Sequence, residues 1–181
     1  GVFFREDGDS IDVDKPQFLP VLGMEDCYSY RNKAQFPVGK DKNGKVITGF
    51  YAGHSHAIIP NMTCAIQAPI NEVICKTVCM HMEQYGIAPY DEESHTGLVR
   101  HILTRVGAVT GEVLVCLILN GKSLPKADVL AEKLKDAVVA YSGSCAKDKT
   151  AGTVTTAPEA EVCDKQQLTL KGVCLNVNRE K

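Results

Sequence analysis

The chain has 181 residues, of which 44% are hydrophobic and 23% charged, with a formal net charge of −2. That balance excludes a disordered polymer and suits one domain with a small appendage. No run approaches the roughly 18 apolar residues a membrane-spanning helix needs, and the opening GVFFREDGDSIDVDK is too acidic for a secretory signal.

The charge is uneven, −5 over residues 1–30 and +4 over residues 31–60. A basic stretch carrying His54 and His56 is either a face that meets phosphate or the solvated side of a strand. The 8 cysteines follow no regular framework. Cys75, Cys79 and Cys116 fall inside apolar periodic runs, so free thiols in the cytoplasm are expected rather than a disulfide scaffold. Gly1 in place of Met points to a trimmed chain with neighbours beyond it.

Residues 1–29 read as an acidic opening segment without period. From Tyr30 the pattern alternates: Tyr30, Asn32, Ala34 and Phe36 against Arg31, Lys33 and Gln35, which predicts a strand with one polar face. Asp41-Lys42-Asn43-Gly44 predicts a turn, and Lys45 to Tyr51 the returning strand. After Pro69, Ile70, Val73, Ile74, Val78 and Met82 recur at helical spacing, with Gly86 as the stop. Residues 98–106 and 112–119 read as two strands joined by GAVTG, and the apolar EVLVCLIL predicts a strand covered on both faces. Ser123 is the expected cap of a second helix over 124–138. Residues 140–166 read as an inserted loop or weak hairpin, and Gly172 to Val177 as a last strand.

Together these elements predict an α+β fold: an antiparallel sheet, open or curled towards a barrel, with two packed helices. No glycine-rich phosphate loop, GxGxxG, HExxH or GxSxG motif is present. Zinc could use His54, His56 and Cys64, or Cys75, Cys79 and His81, but paired CxxC spacing is missing. Arg31, Lys33 and Gln35 on one strand face, with Arg100 and Arg105 on later strands, are the candidate nucleic-acid contacts. Guanidinium and ammonium groups bind phosphate, Gln addresses a base edge or ribose hydroxyl, and Tyr28, Tyr30, Phe50 and Tyr51 could stack on unpaired bases. The acidic DEESH at 91–95 reads as a solvated loop.

LGMEDCYSYRNKAQFPVG at 22–39, ITGFYAGHSHAII at 47–59, MTCAIQ at 62–67 and APYDEESHTGLVRHILTRVG at 88–107 follow one another in the chain. With TGEVLVCLILNGKSLP at 110–125 and CLNVNREK at 174–181, they resemble the middle of bacterial 23S rRNA (uracil-5-)-methyltransferases. The resemblance covers most of residues 20–138 and the last strand, and YRNKAQ, GFYxxxSHxII and LVRHIxxRxG occur together in the family's order.

The resemblance implies that residues 30–181 are a central domain that positions ribosomal RNA, with transfer RNA as the other possible substrate. An N-terminal OB-like RNA-binding domain and a C-terminal methyltransferase domain would lie outside the chain. The parent would use S-adenosylmethionine, and a [4Fe–4S] cluster to which Cys64 would give one of four ligands. No catalytic residue and no bound cofactor are expected in the chain itself, which would be a cytoplasmic monomer without membrane contact. Two other readings stand beside this one: a structural connector with little RNA contact, and a small metal-dependent enzyme using His54, His56 and Cys64.

Overall fold

The structure is a computed structural model that describes residues 19–24, 27–145 and 167–179. Most of the acidic opening segment, and residues 146–166 of the expected insertion, lie outside the described residues.

The first two strands, β1 (Lys33–Lys40) and β2 (Val46–Tyr51), form the expected antiparallel hairpin. Its turn is built by Asp41, whose Oδ1 accepts the backbone N–H groups of Asn43 and Lys45 at 2.8 and 2.9 Å. Gly44 takes φ +81°, the left-handed conformation that closes the turn. A short β3 (Ile58–Pro60), not expected from the sequence, extends the sheet beyond β2.

Helix α1 (Ile70–Gln84) then crosses one face and buries Ile70, Ile74, Val78 and Met82. Strands β4 (Val99–Val106) and β5 (Glu112–Leu119) form the second hairpin, joined through Gly107–Gly111. The second helix, α2, runs over Ala127–Cys145 and so begins three residues later than predicted. Pro125 followed by Lys126 at φ +54° breaks the helical path, so Ser123 is not its cap. The helix also outlasts its predicted end: beyond the buried stripe of Leu130, Leu134 and Val138, the half-buried Tyr141 still packs against the core. Ser142 ties its last turns to Leu168, whose carbonyl accepts the hydroxyl proton at 3.3 Å.

Strand β6 (Thr169–Val177) completes a six-stranded sheet in the order β3-β2-β1-β4-β5-β6. It lies parallel to β5, as the helical crossover through α2 requires, so the sheet is mixed although mostly antiparallel. The sheet is open, with β3 and β6 at opposite edges, and does not curl into a barrel. Phe36, Ile102, Val115, Leu117 and Leu119 face the helices and form the core with Ile74 and Leu134. The other face of β5 is not covered as EVLVCLIL suggested: Leu114, Cys116 and Ile118 are only half-buried. That open face is where the polar residues of β1 and β4 also lie.

Candidate nucleic-acid interface

The alternation of β1 sends Ala34, Phe36 and Val38 into the core and leaves Lys33 and Gln35 exposed. Arg31, two residues earlier, is also exposed; its backbone N–H donates to the Ile66 carbonyl at 2.9 Å, which continues the pairing beyond the strand. Across the β1–β4 ladder Lys33 is opposite Arg105 and Gln35 opposite Leu103. The sheet therefore brings Lys33, Gln35 and Arg105 onto one exposed face, with Arg31 at its end. Nothing within the described residues neutralises Lys33 or Arg105 through an ion pair.

Arg100 is placed differently. The β4–β5 register shifts between Val99 and His101, and this irregularity turns both Arg100 and His101 away from the core. The Arg100 guanidinium lies 4.3 Å from the centre of the Tyr90 ring, and its Nη2 is 3.4 Å from each carboxylate oxygen of Glu92. Only 11% of its side chain is exposed. The acidic 91–95 stretch is therefore not simply a solvated loop, since Glu92 folds back onto Arg100. Asp91 organises the same loop by accepting the Ser94 backbone N–H at 2.7 Å and the Ser94 hydroxyl at 2.8 Å. These bonds hold the Asp91 carboxyl below its ordinary range.

This loop forms one wall of a groove of about 740 Å3 whose other wall is β1, Tyr51 and residues 55–58. Two histidine rings meet Tyr51, His56 at 5.7 Å and His101 at 6.3 Å between centroids, each edge-on. Burial raises the Tyr51 phenol above its ordinary range and Glu92 adds to this, while Arg100 opposes it. Burial, and then Arg100, lower the His101 imidazole, with Glu92 acting the other way. Sequence reasoning identified Tyr51 as a stacking candidate but not its two histidine neighbours. His56 is five residues away and His101 is on a different strand, so only the fold unites them.

Cys64 sits apart, half-buried between β3 and α1, in a depression shared with Ser29, Met62, Gln67, Pro69 and Glu72. Among the described residues no second cysteine lines that depression, and no three His, Cys, Asp or Glu side chains are grouped to hold a metal. The described residues therefore do not by themselves fit an iron–sulfur cluster, and His54, His56 and Cys64 do not converge as a zinc site. No helix among them is long and apolar enough to cross a membrane.

No family model matches the chain. It is 44% identical over 126 residues to an uncharacterized RNA methyltransferase of Oceanobacillus iheyensis, a match covering 68% of this chain and 27% of that protein. A second such protein, from Halalkalibacterium halodurans, is 42% identical over 119 residues, covering 66% and 26% respectively. A third, from Clostridium tetani, is 43% identical over 116 residues, covering 64% and 25%. Among solved structures, the Pyrococcus abyssi tRNA (uracil-54, C5)-methyltransferase in complex with S-adenosyl-L-homocysteine shares the fold. The TM-score is 0.51 at 18% identity, over 59% of this chain and 25% of that one. The chain spans about a quarter of the length of the curated relatives it matches. About two thirds of this chain is thus a region related to bacterial RNA methyltransferases.

Proposed function

We propose that this chain is the RNA-positioning region of an S-adenosylmethionine-dependent RNA (uracil-5-)-methyltransferase acting on ribosomal RNA. The observation that carries the proposal is the exposed cationic pair of Lys33 and Arg105, opposed across two strands and flanked by Arg31 and Gln35. Three cations spaced along a sheet face suit successive phosphates, and the Gln35 amide can address a base edge or a ribose hydroxyl. At the neighbouring groove Tyr51 and His56 offer rings against which an unpaired base can stack. Arg100 supports the groove wall, because reaching RNA would require it to give up Glu92 and Tyr90.

Uracil as the target base draws support from the name of the solved neighbour, and RNA from the names of the relatives. In this reading S-adenosylmethionine supplies the methyl group, and no described residue is assigned to hold it or to act in catalysis. Cys64 serves as one ligand of a [4Fe–4S] cluster completed by thiolates of the parent enzyme outside this chain. The parent is a cytoplasmic monomer, and its N-terminal and C-terminal domains are this region's partners.

Titration of the chain with a ribosomal RNA fragment at two salt concentrations tests the proposal. Binding is expected to be weak and to fall with a log–log salt slope of about −0.7 to −0.9 for each phosphate contacted. Tight binding indifferent to salt would reject it. Arg31→Gln with Lys33→Gln in the parent enzyme separates positioning from a connector role: unchanged RNA affinity with an intact fold would make this region a connector.

A further inference from the structure

Two cysteines outside the proposed RNA contacts meet on the open face of the sheet. Cys116 on β5 and Cys174 on β6 are register partners in the parallel ladder. Both alternate with residues that face the helices: Val115 and Leu117 are fully buried, and Val173 packs against the same core. Their side chains therefore emerge on the same side. The two thiols lie close enough for Cys174 to act on the titration of Cys116. Cys174 is exposed and Cys116 half-buried, so the pair is reachable from solvent through Cys174.

We propose that Cys116 and Cys174 are a reversible thiol–disulfide pair, closed by small disulfides of the glutathione class. Neighbouring strands lie about 4.8 Å apart, inside the roughly 4.4–6.8 Å between Cα atoms that a disulfide spans. Any adjustment of spacing that bond formation requires can come from β6. Among the described residues it is an edge strand, held in the sheet by β5 alone. A disulfide exposed at a sheet edge through Cys174 belongs to the readily reduced class.

The chemistry balances without any other reagent. The Cys174 thiolate attacks oxidised glutathione, the glutathione S–S bond breaks, and one glutathione thiolate leaves. Cys116 then gives up its proton and attacks the Cys174 sulfur, and the second glutathione leaves as thiol. The sum is two cysteine thiols and one glutathione disulfide going to one protein disulfide and two glutathione thiols.

The order of attack follows from the surroundings. Burial first, then the neighbouring Cys174 thiol, push the Cys116 thiol up to about 11, with the Asn176 backbone acting the other way. Cys116 is thus the slower, resolving thiol and the exposed Cys174 the point of attack. Cys75 and Cys79 make the contrast. They are one turn apart on α1 but buried against the core, and burial pushes both thiols up.

The test incubates the whole chain with oxidised glutathione, quenches in acid, alkylates and maps peptides by mass spectrometry. Loss of both thiols, with the Cys116 and Cys174 peptides joined, is expected. Excess reduced glutathione should restore both. In Cys174→Ser the cross-link should vanish and Cys116 should remain open to alkylation after denaturation. Glutathione resting on Cys174 while Cys116 stays reduced would overturn the proposal. So would a cross-link from Cys174 to another cysteine, or a Cys116–Cys174 bond that excess thiol does not reopen.

Discussion

Lys33 on β1 and Arg105 on β4 are directly opposed across the antiparallel ladder, and both are exposed. Like charges in that relation cost a sheet about 0.2–1 kcal/mol, so the pair is not there for the fold. A polyanion lying across both strands would relieve the repulsion and gain from it. Arg105→Gln is therefore expected to leave stability unchanged or higher by about 0.5 kcal/mol while weakening RNA binding. The salt slope should shrink by about one. Chemical denaturation and RNA titrations at several salt concentrations read the two effects. Unchanged RNA affinity would remove Arg105 from the interface.

Arg100 makes the opposite prediction. Its guanidinium is stacked on Tyr90 and paired with Glu92, mostly out of water. Arg100→Ala removes these contacts, together with the Nη1 bond to the Asn178 carbonyl at 3.5 Å, and leaves the Glu92 carboxylate without its cation, an expected loss of about 2–3 kcal/mol. Arg100→Lys keeps the charge but not the planar stack and should fall between. Since neither variant alters the Lys33 row, the salt slope of RNA binding should stay as it was. A reduced slope in Arg100→Lys, with stability retained, would return Arg100 to the RNA contacts.

The elements that the sequence made legible are those whose burial follows one period. Ala34 and Phe36 at period two and Ile70, Ile74, Val78 and Met82 at helical spacing all proved to be core. The boundaries set by local backbone conformation were harder to read. Lys126 at φ +54° delays α2, and lysine is not among the residue types that favour a left-handed turn. The parallel placement of β6 was hidden for another reason: a strand's own composition does not say which neighbour it joins. For the candidate site, Lys33 and Gln35 were visible as one polar face of one strand. Their relation to Arg105, and the separation of Arg100, depend on register and on a single-residue irregularity at Val99–His101.

Gly97 holds the groove wall in place. It has φ +94°, and a Cβ there would come within 2.0 Å of the Pro89 carbonyl oxygen and 2.9 Å of the Tyr90 Cα. Both contacts are backbone, so rotamer changes cannot relieve them. Gly97→Ala should cost at least about 1–3 kcal/mol through strain at this site and displace residues 88–91 from β4. Hydrogen exchange should show it at the Tyr90 N–H, which donates to the Val99 carbonyl at 2.8 Å. Unaltered protection of Tyr90 in the variant would contradict this account.

Two histidines make the fold sensitive to mild acid. His101 is lowered by burial and by Arg100, against Glu92, with the Tyr51 ring beside it. His81 is lowered by burial, and Lys133 adds to this. Its bond to the Pro125 carbonyl, at 3.4 Å, acts the other way, and the Tyr85 ring packs 4.7 Å away. Both rings take up a proton less readily when folded than when unfolded, so the unfolded chain binds more protons as pH drops. Their contribution is complete above the unfolded value of about 6.5 and is lost as pH falls through the lower folded values. Each can add a slope of at most about 1.4 kcal/mol per pH unit in that window. Denaturation midpoints should therefore fall from about pH 7 to about pH 5, and His81→Gln with His101→Gln should flatten that fall. Asp41 and Asp91, whose carboxyls are held below their ordinary range by backbone bonds, act only at lower pH. If the double variant kept the full loss between these pH values, the histidines would not be its source.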